Sequence, residues 1–490
     1  MIIANQGIKT LYGGKTKIVD FKELSVPNES VILKNINVLS PDGKSFLTNY
    51  SVLISEGIII KVDSFISDNK QVKIIDGTSK YLIPGLIDSH VHLFKTPNDL
   101  LLYVANGVTH IREMIGEEKH LIWKKEIKKG RVGPELYIAS PRFGSFDFMS
   151  GLFMTYSQGY ANTKNSKEAK EKVIEYYKKG YDGIKIYSQL NKECYQAVSE
   201  TTDSLGMDMI GHIPFNIELS DVWHGNQKEV AHFEEIMNAL NREFGYYEND
   251  EKDKFFEFID QRSDSIANYL IANNIAVTST LWGMNSLYRQ KTDLESVLSE
   301  IELKYVNPGI IEGHMFTPQG GLGWLPDVNR VRFPAGLTEE EQKGRGDYWL
   351  IYAEACQRVG KNLYELGVHI LAGTDANLSV KVPGFSLHDE FKTLNEMGMS
   401  PAEVLRSSTI LPAKWLNKNI GQIKEGFEAD LVILNKNPLE SIENTESINS
   451  VILGGRVLDR QYLDKILLLV EEANESSRNK NISDFIKNEN

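Results

Sequence analysis

At 490 residues the chain is longer than one compact core ordinarily holds, so it is expected to form two domains or one large barrel with an appendage. Charged residues at 25% and apolar residues at 41% are the proportions of a soluble globular enzyme and exclude a disordered or fibrous chain. A net charge of -13 with no Lys/Arg cluster excludes a general nucleic-acid binder, and two distant cysteines, Cys194 and Cys356, exclude a disulfide framework.

The first ten residues lack the basic start and apolar segment of a signal peptide, and no apolar run reaches the length of a bilayer span. A cytoplasmic protein is expected, with an exported form conceivable only had a leader been removed before this numbering begins. The expected partner is a small-molecule substrate, neither nucleic acid nor membrane, with homo-oligomerisation left open.

From Val31 to Lys80 short alternating segments (Val31 to Leu33, Ser51 to Ile54, Gly57 to Val62, Val72 to Ile75) are separated by turns such as Pro41-Asp42-Gly43 and Asp76-Gly77. Similar β character returns at Ala429 to Leu434 and Ser450 to Val457. The two ends are expected to build one composite β-sandwich from residues 1–83 and 410–460.

Between them, over residues 84–409, apolar strands alternate with segments of helical period, the signature of βα units. The strand candidates are Leu86 to Leu93, Val108 to Met114, Glu135 to Ala139, Gly183 to Tyr187, Asp208 to Ile213, Glu229 to Phe233, Ala276 to Leu281 and Val368 to Gly373. Eight strands close an α/β (β/α)8 TIM barrel. Helices are expected over Asn98 to Asn106, His120 to Lys129, Ser166 to Lys179, Lys192 to Leu205 and Leu387 to Met397. Gly107, Gly130, Gly180 and Gly206 stand where a left-handed C-terminal residue is wanted. Residues near 238–264 and 282–346 interrupt the repeat, either as a lid or substrate wall or as excursions packed outside. A closing helix is expected over Leu463 to Ala473, and the polar tail Ser477 to Asn490 is expected to fray.

Barrel chemistry resides at the C-terminal ends of strands. In His90-Val91-His92 alternation turns both imidazoles to one side. The fourth strand sends Lys185 and Tyr187 inward and Ile184 and Ile186 outward; the fifth ends at His212, the sixth at His232, and the eighth at Thr374-Asp375. One histidine alone is more often a hydrogen-bonded core residue, and Asp375 alone could be a helix cap. An unpaired ammonium inside a barrel is harder to dismiss. Five such strand ends together point to a metal centre.

With these residues in view the chain resembles the metal-dependent amidohydrolase superfamily, and within it the imidazolonepropionase-like and prolidase-like branch. The motifs carrying the resemblance are Pro84 to His92, Asn106-Gly107-Val108-Thr109, Gly180 to Tyr187, Gly373-Thr374-Asp375-Ala376 and Gly421 to Val432. The resemblance implies two divalent metal ions, zinc above all: one held by His90, His92 and Asp375, the other by His212 and His232. Lys185, carboxylated by carbon dioxide, would bridge them. It further implies hydrolysis of an amide or peptide C–N bond of a small substrate by water activated between the metals, as in prolidase-like or N-acyl amino acid hydrolases. Asp375 is expected to be the acid/base, and Thr374 structural. Tyr187 is expected at the oxyanion or a substrate carboxylate, with Arg142 a candidate for that carboxylate and Glu234 for orienting His232 or a substrate amine. The alternatives are a cyclic-amide or lactone hydrolase and, in another class, a catalytically silent binding barrel.

Overall fold

The computed structural model describes residues 12–67, 72–314 and 316–481. The stretch read for a leader and residues 482–490 of the tail lie outside it. Among the described residues no helix is long and apolar enough to cross a membrane.

The first strands are β1 (Val31–Leu39), β2 (Phe46–Ser55), β3 (Ile58–Asp63), β4 (Lys73–Asp76) and β5 (Tyr81–Pro84). They are followed by the first barrel strands, β6 (Leu86–Val91), β7 (Val108–Glu113) and β8 (Glu135–Ile138). Two-residue strands β9 (Phe143–Gly144) and β10 (Ala161–Asn162) precede β11 (Gly183–Ile186), β12 (Asp208–Gly211), β13 (Gln227–Ala231), β14 (Ala276–Thr278) and β15 (Ile370–Leu371). The chain closes with β16 (Leu431–Leu434), β17 (Ile448–Leu453) and β18 (Arg456–Asp459).

The two chain ends share one hydrogen-bonded sheet, in which β16 pairs antiparallel with β5, Val432 opposite Ile83. Its far edge also returns to the C-terminal segment. Ile59 N donates to Phe427 O at 2.9 Å and Ala429 N to Gly57 O at 2.7 Å, curling the sheet round on itself.

All eight expected barrel strands form, in ladders β6-β7-β8 and β11 to β15. The ladders meet through the parallel bridges Ala139↔Gly183 and Val91↔Ala376, so the barrel closes. Its strands are buried on both faces, which is why they read as apolar runs rather than strict alternations. The bore is not wholly apolar. Arg112 and Glu229 pair inside it, both side chains 0% exposed, and the Arg112 guanidinium lies 4.0 Å from the Trp415 ring centre.

The expected helices also form, including Ser166–Lys179 and Lys192–Leu205, and Gly107, Gly130, Gly180 and Gly206 all have positive φ. Residues 238–264 are mainly helical: Phe233–Phe244 and Lys252–Ala272 pack with the long helix Glu339–Glu365. The 282–346 stretch begins inside the helix Leu281–Thr292, whose start is fixed by Glu390 accepting from Leu281 N and Trp282 N, each at 2.8 Å. The closing helix runs over Arg460–Glu475.

Candidate metal centre

Strand β6 delivers His90 and His92 side by side, with ring centres 5.3 Å apart. The strand end is tied to the turn after β15 through Asp88. Its carboxylate accepts from His90 N at 3.2 Å, Thr374 N at 3.1 Å and Thr374 Oγ1 at 2.7 Å. Thr374 therefore acts through Asp88, while Asp375 N donates to His90 O at 2.7 Å and turns its own side chain inward at φ 60°. Asp is among the few side chains that tolerate that region.

The other imidazoles arrive from the opposite wall. His212 follows Gly211, whose φ of +126° brings the backbone so close that a Cβ there would lie 2.3 Å from Ile186 O and 2.9 Å from Lys185 Cδ. His232 lies just beyond the end of β13 at φ 69° and ψ 134°, a conformation that costs a non-glycine residue energy and is held here by a hydrogen bond. That bond joins His232 Nδ1 and Thr280 Oγ1 at 2.7 Å. His212 Nδ1 lies 2.7 Å from Glu235 Oε1 and 2.9 Å from Ser188 Oγ. In both rings the Nδ1 contact leaves Nε2 for a ligand.

The rings gather closely. His90 and His232 centres are 4.5 Å apart, and His212 and His232 5.2 Å. One ligand atom each from His90, His232 and Asp375 falls within 4.8 Å of the others. Asp375 Oδ1 lies 2.8 Å from His92 Nε2 and 3.5 Å from His90 Nε2. Burial holds the imidazoles of His90, His92, His212 and His232 below their ordinary range, so they stay neutral and keep lone pairs for a metal. Burial opposes ionisation of Asp375, but the Lys381 ammonium and the hydrogen bond with His92 overcome it and hold the carboxyl well below the usual range.

Lys185 lies fully buried, and its Nζ has no hydrogen-bond partner among the described residues. Burial brings the amine down to about 8. An isolated buried ammonium is costly, whereas a carbamate formed on the amine would be an anionic ligand facing this set of imidazoles. The donor atoms of His90, His232 and Asp375 thus fit a divalent cation.

Around the centre, the Tyr187 ring lies 4.1 Å from that of His212. The Arg142 guanidinium sits 5.1 Å from the Tyr187 ring centre and 4.2 Å from that of Tyr160. It donates to Gln158 O at 3.0 Å, and its buried Nε has no hydrogen-bond partner among the described residues. Glu234 bonds to Tyr352 rather than to His232, which corrects the expectation that Glu234 orients that ring: Thr280 does so, and the carboxylate supporting a ring nitrogen is the adjacent Glu235, on His212. Burial pushes Glu234 up to about 7.

Sequence reasoning missed Lys381, whose Nζ donates to Asp375 Oδ2 at 3.0 Å from a site 5% exposed. It passes close over Gly283, where a Cβ would stand 3.0 Å from Nζ. A lysine in an irregular loop carries no periodic signal; only its closeness in sequence to Asp375 hinted at it.

Residues 348–458 match the amidohydrolase family. The chain is 23% identical over 486 residues to the 5-methylthioadenosine/S-adenosylhomocysteine deaminase of Pyrococcus furiosus, an alignment covering 90% of this chain and 100% of that protein. Among solved structures it resembles a bottromycin amidohydrolase, with TM-score 0.69 and 19% identity over 94% of each chain. It also resembles a Xaa-Pro dipeptidase solved with methionine in its active site, with TM-score 0.62 and 18% identity over 88% of this chain and 100% of that one. These likenesses to solved structures establish the fold.

Proposed function

We propose that this chain, which matches the amidohydrolase family over residues 348–458, is a binuclear hydrolase cleaving an amide or peptide C–N bond in a small, carboxylate-bearing substrate. The observation that carries this reading is Lys185 Nζ, buried without a hydrogen-bond partner among the described residues beside His90, His212 and Asp375. His90, His92 and Asp375 would hold one divalent ion, His212 and His232 the other, and carboxylated Lys185 both. Bound there, the ions would acidify a water molecule and polarise the scissile carbonyl.

The protein's own groups divide the remaining work. Asp375, kept ionised beside Lys381, is placed to take a proton from water and return it to the leaving nitrogen. Tyr187, next to His212, is suited to donate a hydrogen bond to the oxygen on which charge develops. Arg142, braced between Tyr160 and Tyr187, is suited to a substrate carboxylate. The full set of donor side chains speaks against a silent binding barrel.

A second reading, release of ammonia from an adenosine-type nucleoside, is supported by the name of the Pyrococcus relative. A cyclic amide or lactone would use the same groups. The test is one panel of dipeptides, N-acyl amino acids, lactams, lactones and adenosine-type nucleosides offered to metal-loaded protein. Amine release from the first two groups is expected; turnover confined to nucleosides with release of ammonia would replace this reading with the second.

A further inference from the structure

At the far end of the barrel from His90, a second group of ligand-type side chains converges, and we propose that His110, Glu135 and Glu428 bind a divalent transition-metal ion there. His110 is the third residue of β7 and lies opposite Glu135, the first residue of β8. Glu428 comes from the segment leading into β16, where it bridges to Ile58 of the terminal sheet. One ligand atom from each of the three falls within 4.8 Å of the others. An ion at this point would join the barrel to the terminal sheet.

The geometry fits a cation better than a set of direct bonds. His110 is 3% exposed, and among the described residues its Nε2 has only carboxylates at ion-pair range as neighbours, none at ordinary hydrogen-bond distance. That nitrogen points at Glu135 Oε2, 3.5 Å away, and at Asp430 Oδ2, 3.8 Å away. Both distances exceed those of an N–H···O bond, about 2.7–3.2 Å. The first, to Glu135, is close to the roughly 3.3 Å between neighbouring ligands of a tetrahedral ion with bonds near 2.0 Å. His110 Nδ1 lies 3.0 Å from Thr109 Oγ1, and donation to that oxygen would leave the Nε2 lone pair for the metal.

The carboxylates have oxygens to spare. Lys418 engages Glu135 Oε1 and leaves Oε2 toward His110. Gly454 N donates to Asp430 Oδ1 at 2.6 Å and leaves Oδ2. Glu428 has no side-chain hydrogen bond or ion pair among the described residues, and burial with its neighbours Glu135 and Asp430 raises its pKa. A cleft of about 600 Å³ lined by Thr109, Glu135, Glu428 and Asp430 gives an ion access. One imidazole nitrogen with carboxylate oxygens selects the zinc or manganese class over calcium.

The test strips full-length protein with chelator, re-equilibrates it with Zn²⁺ and counts bound ions in wild type, His110→Gln and Glu428→Gln. Both variants are expected to hold one ion fewer than wild type. Asp375→Asn, altered at the opposite end, should retain the ion that these two lose. The readout is the difference of one ion rather than the total, so it stands or falls separately from the proposed catalytic centre. Glu428 is only half-buried, so its variant keeps the test usable if His110→Gln does not fold. Zn²⁺ should also raise the thermal midpoint of wild type more than that of Glu428→Gln. Equal ion counts in wild type and folded Glu428→Gln would overturn the proposal.

Discussion

Lys381 Nζ donates to Asp375 Oδ2 at 3.0 Å, while the other oxygen of that carboxylate faces His92 Nε2 at 2.8 Å. The aspartate is therefore fixed from both sides, and the lysine supplies the charge that keeps it ionised in a buried site. A charge-assisted hydrogen bond of this kind is worth about 1.5–3 kcal/mol. Lys381→Met is expected to lower kcat by about ten- to a hundredfold with the metal content kept, and Lys381→Arg to recover part of the loss. Steady-state kinetics beside metal analysis checks this; unchanged kcat would free Asp375 from dependence on Lys381.

Arg142 lies over the rings of Tyr160 and Tyr187, and its Nε has no hydrogen-bond partner among the described residues. Arg142→Gln is expected to raise KM by about tenfold or more for substrates with a free carboxylate and to leave their amidated counterparts little changed. Equal effects on both would move Arg142 from substrate recognition to wall packing.

At Gly211 the backbone passes against Lys185 in a conformation that L side chains rarely adopt. Gly211→Ala should cost roughly 1–3 kcal/mol of stability and displace His212, lowering metal retention as well. Denaturant midpoints and metal analysis report the two effects separately. A variant with wild-type stability would show that this turn relaxes without cost.

The strand ends were legible because barrel strands announce themselves as apolar runs, and His90, His92, Lys185, His212, His232 and Asp375 interrupt or end those runs. What holds these side chains was less legible. Thr280 and Lys381 reach the centre from loops brought in by long-range closure of the barrel, where no period marks them. Strand alternation continued past Ala231 would set Glu234, not Glu235, on the face of His232. The strand ends at Ala231, and the positive φ of His232 begins a helix on which the faces change order. Residues 238–264 looked irregular because Tyr246-Tyr247-Glu248-Asn249-Asp250 mixes aromatic and charged residues. In the fold Tyr247 turns inward onto Phe255, with ring centres 4.8 Å apart, while Tyr246 stays exposed.

Whether Lys185 holds metal or stands as a buried cation is read from the metal content of Lys185→Ala beside wild type. Wild-type protein prepared without chelators is expected to carry about two ions at this centre. The variant should carry fewer and regain metal when a short carboxylic acid is supplied in place of the missing carbamate. Wild-type metal content in the untreated variant would show that Lys185 holds no metal.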